Sequence, residues 1–144
     1  MHSSPISYIE QIKDLKNIEY ITIHLEIEEN IQNTLNKIKE YGFKRGISIK
    51  PNTDINKLIP YLNDIDLILI MTVEPGLGGQ SFLENSPTRI KEIKNLIKDK
   101  NILLEVDGGI NDKTIKLLKD VDIAVVGSYI TTSDNMIEKV KTLV

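Results

Sequence analysis

The sequence lacks cysteine altogether, which excludes disulfide bonds, thiolate zinc sites and a cysteine nucleophile. It also lacks any apolar run that approaches the roughly 20 residues of a membrane-spanning helix. The N-terminal stretch MHSSPISYIE has neither the basic nor the apolar segment of a signal peptide. These absences favour a cytoplasmic protein without a membrane partner.

The sequence has no large excess of charge of either sign. Its 18 Lys and Arg residues and 21 Asp and Glu residues leave a formal net charge of −3, which disfavours a nucleic acid as partner. A length of 144 residues, 40% of them hydrophobic, suffices for one ordinary core. Because no low-complexity linker interrupts the chain, we predict a single domain over residues 1–144.

Short runs rich in β-branched residues alternate with longer stretches whose apolar residues recur at helical spacing, which is the pattern of βα units. Two of the short runs, LILIM and IAVV, have no polar residue at alternate positions, as expected for strands that are covered on both faces. The predicted strands are residues 18–24, 46–50, 66–71, 102–106 and 123–126.

Four crossover helices are predicted between these strands, each from apolar residues that share one helical face. The faces are Ile31, Leu35 and Ile38; Ile55, Leu58 and Leu62; Ile90, Ile93 and Ile97; and Ile115 and Leu118. A further helix is expected to begin after Ser4, where Pro5 suits a first helical turn, and another is expected over residues 134–143. The predicted order is one helix followed by five βα units.

This order is compatible with two architectures, an open doubly wound sheet and a (β/α)8 barrel. A barrel of eight units usually takes about 250 residues, or roughly 30 per unit, so 144 residues supply about five units. Five units are counted, and the chain starts on a helix rather than on a strand. We therefore expect an α/β fold that is part of a (β/α)8 TIM barrel, cut open just after a strand.

Glycines cluster where three successive predicted strands end, which is where parallel α/β proteins bind their ligands. The first group lies in MTVEPGLGGQSF, where glycine lets the backbone take positive φ so that N–H groups can converge on a phosphate. Taken alone, this loop is equally compatible with a tight turn that binds nothing. The three groups together favour a phosphate site, and its predicted residues are Gly76, Leu77, Gly78, Gly79, Gly108, Gly109, Gly127 and Ser128.

Asp107 is the carboxylate that joins a buried strand directly to the glycine cluster, which suits a general acid or base or a metal ligand. Asp before Gly also commonly caps a turn. His24 and Lys50 end the first two strands and are predicted to support the site without carrying its chemistry. Glu105 is expected to point away from Asp107, toward the helices. His2 is predicted to be an ordinary terminal residue.

Five segments, taken in order, resemble the ribulose-phosphate 3-epimerase family, whose members are (β/α)8 barrels of the pentose phosphate and Calvin pathways. They are ITIHLE, GISIKPNT, IMTVEPGLGGQSF, LEVDGGI and VVGSYI, and they cover essentially the whole chain. The resemblance implies an isomerase that interconverts D-ribulose 5-phosphate and D-xylulose 5-phosphate. The family reaction is a metal-assisted proton transfer at C3, through an enediolate.

The resemblance also implies a role for each matching residue. Asp107 matches a family aspartate that donates a proton and binds a divalent metal ion, which is Zn, Fe, Mn or Co in the family. The glycines, Leu77 and Ser128 match positions that bind the sugar phosphate, chiefly around the phosphate, and Met71 matches a methionine near the metal. At Leu77 the family usually has phenylalanine, a mild change that leaves the backbone arrangement intact.

The sequence resembles an N-terminally truncated member of the family. The family's first three strands, which carry the other catalytic aspartate, two metal-binding histidines and a serine that contacts substrate, have no counterpart in it. We therefore expect this chain alone to be inactive and its open barrel face to promote self-association. Two alternatives stay open: an inactive remnant that at most binds sugar phosphate, and an epimerase of a related ketose phosphate such as allulose 6-phosphate.

Overall fold

The computed structural model describes residues 4–144, so the terminal His2 lies outside it. Five parallel strands alternate with helical segments. The strands are β1 (Tyr20–His24), β2 (Lys44–Ile49), β3 (Leu67–Met71), β4 (Leu103–Asp107) and β5 (Ile123–Val125). The α-helices are α1 (Pro5–Ile12), α2 (Ile31–Glu40), α3 (Ser86–Leu96), α4 (Ser128–Thr131) and α5 (Met136–Lys141), and 3-10 helices span Ile55–Tyr61 and Thr114–Leu117. No helix in this part of the chain is long and apolar enough to cross a bilayer.

Each predicted strand is found, with its ends displaced by no more than two residues. Two of the four predicted crossover α-helices are instead 3-10 helices, Ile55–Tyr61 and Thr114–Leu117. The first contains Pro60, which has no N–H to donate and whose ring crowds the preceding turn, so a regular α-helix is disfavoured there. The predicted terminal helix over residues 134–143 is present as α5, and α4 is a further short helix that precedes it.

The strand order separates the two architectures that the sequence leaves open. The sheet has the order β1-β2-β3-β4-β5, with every neighbouring pair parallel. In a doubly wound sheet the order in which strands are added reverses at a switch point, so that later strands lie on the other side of the first one. In a barrel each strand lies beside the previous one. The sequential order is that of a (β/α)8 barrel, and the five units form part of one.

One face of the sheet packs against the helices and forms the hydrophobic core; we call it the helix-covered face. It presents Ile47, Ile68, Ile70, Leu104 and Val106, all of them inaccessible to solvent. The helical segments also contribute buried residues, namely Leu35, Ile38, Leu58, Ile90 and Ile93. The hydrophobic effect over this face is therefore the main force that holds the strands in place.

The opposite face of the sheet, which we call the open face, is mixed in chemistry. Because side chains alternate along a strand, it carries the residues of opposite parity, which include Thr22, His24, Ser48, Leu67, Leu69, Met71, Leu103, Glu105, Asp107, Ile123 and Val125. The register places His24 opposite Ser48, Ser48 opposite Leu69, and Leu69 opposite Glu105. Met71, Asp107 and Val125 form the next layer, toward the carboxyl ends of the strands.

Candidate functional site

A cavity of about 390 Å³ lies at the carboxyl ends of β3, β4 and β5 and extends to the end of β1. This is the edge at which parallel α/β proteins bind ligands. The predicted site residues that line it are His24, Met71, Gly76, Leu77, Gly78, Gly79, Asp107, Gly108, Gly109, Gly127 and Ser128. Lys50 is the predicted site residue that does not reach this cavity; it lines a second and larger one.

The loop that follows β3 has backbone angles that require glycine. Gly76 and Gly79 have φ values of 132° and 73°, a region that residues with a side chain rarely adopt. The Gln80 amide donates to two carbonyl oxygens of the loop, that of Glu74 and, at 2.8 Å, that of Leu77. The loop is thus folded back on itself at the edge of the cavity.

The segment after β4 also depends on glycine, because its backbone runs against the neighbouring strand end. Gly108 and Gly109 have φ values of 122° and 66°. A Cβ atom on Gly108 would lie 2.5 Å from a methyl group of Val73, and one on Gly109 would lie 2.3 Å from the backbone nitrogen of Phe82. The close approach brings the two glycine segments together along one side of the cavity.

Thr72 joins the ends of β3 and β4. Its hydroxyl shares its one proton between the carbonyl oxygens of Asp107, at 2.9 Å, and Gly108, at 2.6 Å. Its backbone N–H donates to the Asp107 carbonyl at 2.8 Å, and its own carbonyl accepts from Leu83 N–H at 2.9 Å. Because Thr72 is fully buried, water does not compete for these bonds, and the backbone that carries Asp107 is held in place.

Asp107 ends β4 and lines the cavity with its carboxylate partly buried. Burial raises its pKa above the ordinary aspartate value, because a low-dielectric environment disfavours the charged form. A carboxyl group whose pKa is raised toward neutrality is suited to giving and taking protons.

The prediction for Glu105 is wrong. Glu105 lies two residues before Asp107 in β4, and side chains two apart in a strand share a face, so both are on the open face. The pKa of Glu105 is raised by burial and, in addition, by the neighbouring charge of Asp107. Sequence reasoning could have found this second carboxylate by applying the alternation correctly.

The end of β1 is organised by a glutamate. Glu26 Oε2 lies 3.4 Å from His24 Nδ1, and its Oε1 accepts from Lys50 N–H at 3.0 Å and from the Thr53 hydroxyl. Burial alone raises the pKa of Glu26, but these hydrogen bonds outweigh it and hold the pKa below its ordinary value. Glu26 is therefore ionised at neutral pH and ties the end of β1 to the loop after β2.

The loop after β2 is fixed from its other side by Arg89 of α3. The guanidinium donates to the carbonyl oxygens of Lys50, at 3.2 Å, and Thr53. Burial lowers the pKa of Arg89, and its Nε is buried without a partner in the described part of the chain. From the same loop, Asn52 donates to the Glu74 carboxylate at 3.2 Å, which connects the loop to the glycine-rich segment after β3.

A larger cavity, of about 720 Å³, lies along β1 between α1 and the open face. His24, Leu69 and Pro75 line both cavities. In residues 4–144, β1 pairs only with β2 and β5 only with β4, so each has one edge without a strand beside it. Ser48 faces this cavity, and its hydroxyl is buried without a partner in the described chain.

The described residues do not make up a metal site. Across residues 4–144, no three His, Asp or Glu side chains are grouped so that they could hold an ion. Asp107 is the one ligand that the sequence predicts, and a divalent transition-metal ion needs several protein ligands.

Several residues that organise the site were not predicted from the sequence. Glu26, Thr72 and Gln80 stand inside the quoted motifs ITIHLE and IMTVEPGLGGQSF, which could have drawn attention to them. Arg89 lies outside every motif, and its partners are 36 and 39 residues away, so no local pattern indicates it.

Comparison with known proteins gives a consistent result. The model of the ribulose-phosphate 3 epimerase family matches residues 1–131. The chain is 41% identical over 116 residues to a ribulose-phosphate 3-epimerase of Buchnera aphidicola from Schizaphis graminum, covering 78% of this chain and 51% of that protein. It is 35% identical over 117 residues to that of Bacillus subtilis (78% and 54%), and 42% identical over 121 residues to that of Helicobacter pylori J99 (81% and 56%). The chain thus spans about half the length of these curated relatives.

Among solved structures, a chain of Mycobacterium tuberculosis tryptophan synthase is similar with a TM-score of 0.65. The match covers 97% of this chain and 52% of that one, at 14% sequence identity, and so concerns the fold alone. The family model covers most of the chain, and the relatives agree with it in name. The chain belongs to the ribulose-phosphate 3-epimerase family.

Proposed function

We propose that this chain forms the phosphate-binding and Asp107-bearing part of a ribulose-phosphate 3-epimerase, which interconverts D-ribulose 5-phosphate and D-xylulose 5-phosphate. The observation that carries the proposal is the cavity of about 390 Å³, in which Asp107 and three glycine-containing strand ends meet. The curated relatives, which bear that enzyme's name, support it. Because the relatives bear this name, we propose ribulose 5-phosphate rather than allulose 6-phosphate as the substrate.

In the proposed mechanism, backbone N–H groups of the glycine segments bind the phosphate, and Gly127 and Ser128 contribute from the start of α4. The C2 carbonyl of the ketose acidifies the hydrogen on C3. Asp107 then moves a proton at C3, on the face of the substrate that it contacts. Inversion at C3 needs a second acid on the opposite face, so we expect the 144-residue chain to bind substrate but not to turn it over.

The divalent metal ion that the resemblance implies stays a prediction. If bound, a divalent ion would stabilise the enediolate charge. The described residues offer it one ligand, Asp107, and the steps above depend on the chain's own groups alone.

The test combines a binding measurement with an assay. We expect D-ribulose 5-phosphate to shift the backbone amide signals of Gly76, Gly79, Gly109 and Gly127 in an ¹H–¹⁵N NMR titration, and to do so in the Asp107→Asn variant too. A coupled assay for xylulose 5-phosphate should find no turnover by the chain alone. If the ketose phosphate moves none of these signals in a folded chain, the proposal is wrong. Turnover that Asp107→Asn abolishes would support the reaction and refute the expected inactivity.

We also propose that the chain self-associates through its open face. Within residues 4–144, β1 and β5 each have one edge without a neighbouring strand, and a cavity of about 720 Å³ lies along β1. These features support the proposal, because exposed strand edges and apolar surface favour association. Sedimentation velocity should show a dimer or larger species that grows with concentration. A monomer at every concentration would contradict self-association.

The cytoplasmic location stays a prediction.

A further inference from the structure

Among the residues that the structure describes, His24 is the one titratable side chain that lines both cavities. It is the last residue of β1, on the open face, and its side chain is 18% exposed. In the smaller cavity it lies at the end opposite Gly127 and Ser128, because β1 and β5 are the two edges of the sheet. A ligand whose phosphate occupies the glycine segments would extend from there toward His24.

The contact with Glu26 sets the hydrogen-bonding character of the His24 ring. In the described chain the ring has one side-chain partner, the Glu26 carboxylate, 3.4 Å from Nδ1. A carboxylate only accepts hydrogen bonds, so Nδ1 carries the proton in this contact. In the neutral imidazole, Nε2 is then left as an acceptor, which is the complement of a sugar hydroxyl.

Glu26 is itself held in place, so the orientation of His24 does not depend on a mobile side chain. Its second oxygen is occupied by Lys50 N–H and the Thr53 hydroxyl. Arg89 binds the carbonyls of the same two residues. These contacts form a continuous series from α3 through the loop after β2 to Glu26 and then to His24. They fix the orientation of the His24 ring before any ligand binds.

We propose that His24 is a substrate-binding residue, whose Nε2 accepts a hydrogen bond from a hydroxyl of the ketose phosphate at the end remote from the phosphate, and that Glu26 is its positioning residue. The inference rests on the proposed function and deepens it. It gives the part of the cavity at β1 a role in recognising the sugar, where the glycine segments recognise the phosphate.

The wild-type chain can test this directly, because it contains two histidines, and comparison with His24→Asn assigns their ring signals. We expect D-ribulose 5-phosphate to shift both the glycine amides and the His24 ring signals, and inorganic phosphate to shift the glycine amides alone. If ribulose 5-phosphate moves the glycine amides but not the ring, or if phosphate moves the ring equally, the inference is overturned while the proposed function stands. If neither ligand moves any signal, the proposed function fails and the inference fails with it.

Variants separate binding from positioning. His24→Asn keeps a polar group near Nδ1 but none near Nε2, and should weaken ribulose 5-phosphate binding about 3- to 10-fold, the effect of one hydrogen bond, with phosphate affinity unchanged. His24→Gln, whose amide reaches the Nε2 position, should restore part of the loss. An unchanged affinity in a folded His24→Asn chain would refute the binding role.

Glu26→Gln should change the ¹⁵N shifts of the His24 ring, because a neutral amide no longer requires the proton on Nδ1. Glu28→Gln is the matched control: Glu28 is an exposed carboxylate two residues further on that lines only the larger cavity. It should leave the ring shifts unchanged. If Glu26→Gln also leaves them unchanged, Glu26 does not position His24.

Discussion

The two faces of the sheet differ in what their side chains do. On the helix-covered face, Ile68 and Leu104 are fully buried among other aliphatic side chains. On the open face, one residue along each strand, Leu69 is partly exposed and Glu105 is a carboxylate. Fold stability is thus concentrated on one face and candidate chemistry on the other, so polar groups can persist at the site while the aliphatic face holds the strands together.

The first test asks whether the helix-covered face contributes more to stability than the open face. Leu104→Ala should lower the free energy of unfolding by about 3 kcal/mol, because it leaves a cavity in a packed core. Leu69→Ala removes the same atoms from the open face and should cost about 1 kcal/mol, since that side chain is partly in water. Urea denaturation of both variants measures the difference, and equal losses would contradict this division.

A second test compares two glycines at the candidate site. Gly109→Ala should lower the free energy of unfolding by about 2 kcal/mol, because its φ is positive and the new methyl group would meet the Phe82 backbone. It should also abolish phosphate binding. Gly78→Ala has open space and an ordinary φ, so it should change stability by less than about 0.5 kcal/mol. Thermal denaturation measures the stability of both variants, and phosphate titration measures their binding. A Gly109→Ala chain as stable as wild type would refute the close approach of Gly109 to the Phe82 backbone.

Ser48 sharpens the comparison, since it is a polar group of the open face that is fully buried and has no hydrogen-bond partner within residues 4–144. Ser48→Ala should raise the free energy of unfolding by about 1 kcal/mol, because an unsatisfied buried hydroxyl is costly. Thr72→Val, which removes a buried hydroxyl with two acceptors, should act in the opposite direction. Chemical denaturation compares the two, and a destabilised Ser48→Ala chain would indicate that Ser48 has a partner.

The smallest expected effect is the pH dependence due to Glu26. Folding lowers its pKa from the usual value of 4.5, so the ionised carboxylate stabilises the fold above that pH, and the contribution is lost as the pH falls through the lower folded value. Wild type should exceed Glu26→Gln in stability by up to about 1 kcal/mol at pH 6, and the difference should shrink as the pH falls below 4.5. The free energy of unfolding of both chains, measured as a function of pH, decides this. A difference between them that grows as the pH falls would show that folding raises the pKa of Glu26 instead of lowering it.

Much of the fold could be predicted because local sequence determines it. Runs such as LILIM specify buried strands wherever they lie, and counting residues per unit favours a partial barrel over a doubly wound sheet. The crossover that contains Pro60 was predicted as an α-helix from apolar spacing, but the missing N–H of proline gave a 3-10 helix.

The candidate site was less predictable, because its supporting contacts join distant parts of the chain. Glycines, Asp107 and His24 could be named from where strands end, and all of them line one cavity. The hydrogen bonds of Glu26 to Lys50 and of Arg89 to Thr53 span 24 and 36 residues, and periodicity carries no information about such pairs. Glu105 was a different case, where the alternation rule sufficed but was applied wrongly.

The contacts of Thr72 have a mechanical consequence. Its hydroxyl, shared between the carbonyl oxygens of Asp107 and Gly108, and its N–H bond to the Asp107 carbonyl tie the ends of β3 and β4 together, so Asp107 shifts toward a ligand only together with β3. Any adjustment to a ligand on this side of the cavity must come from residues 74–81, whose internal support is the single Gln80 amide. The Asp107 carboxylate therefore keeps its position when a ligand binds, and the loop of residues 74–81 is the part that can change its conformation to fit the ligand.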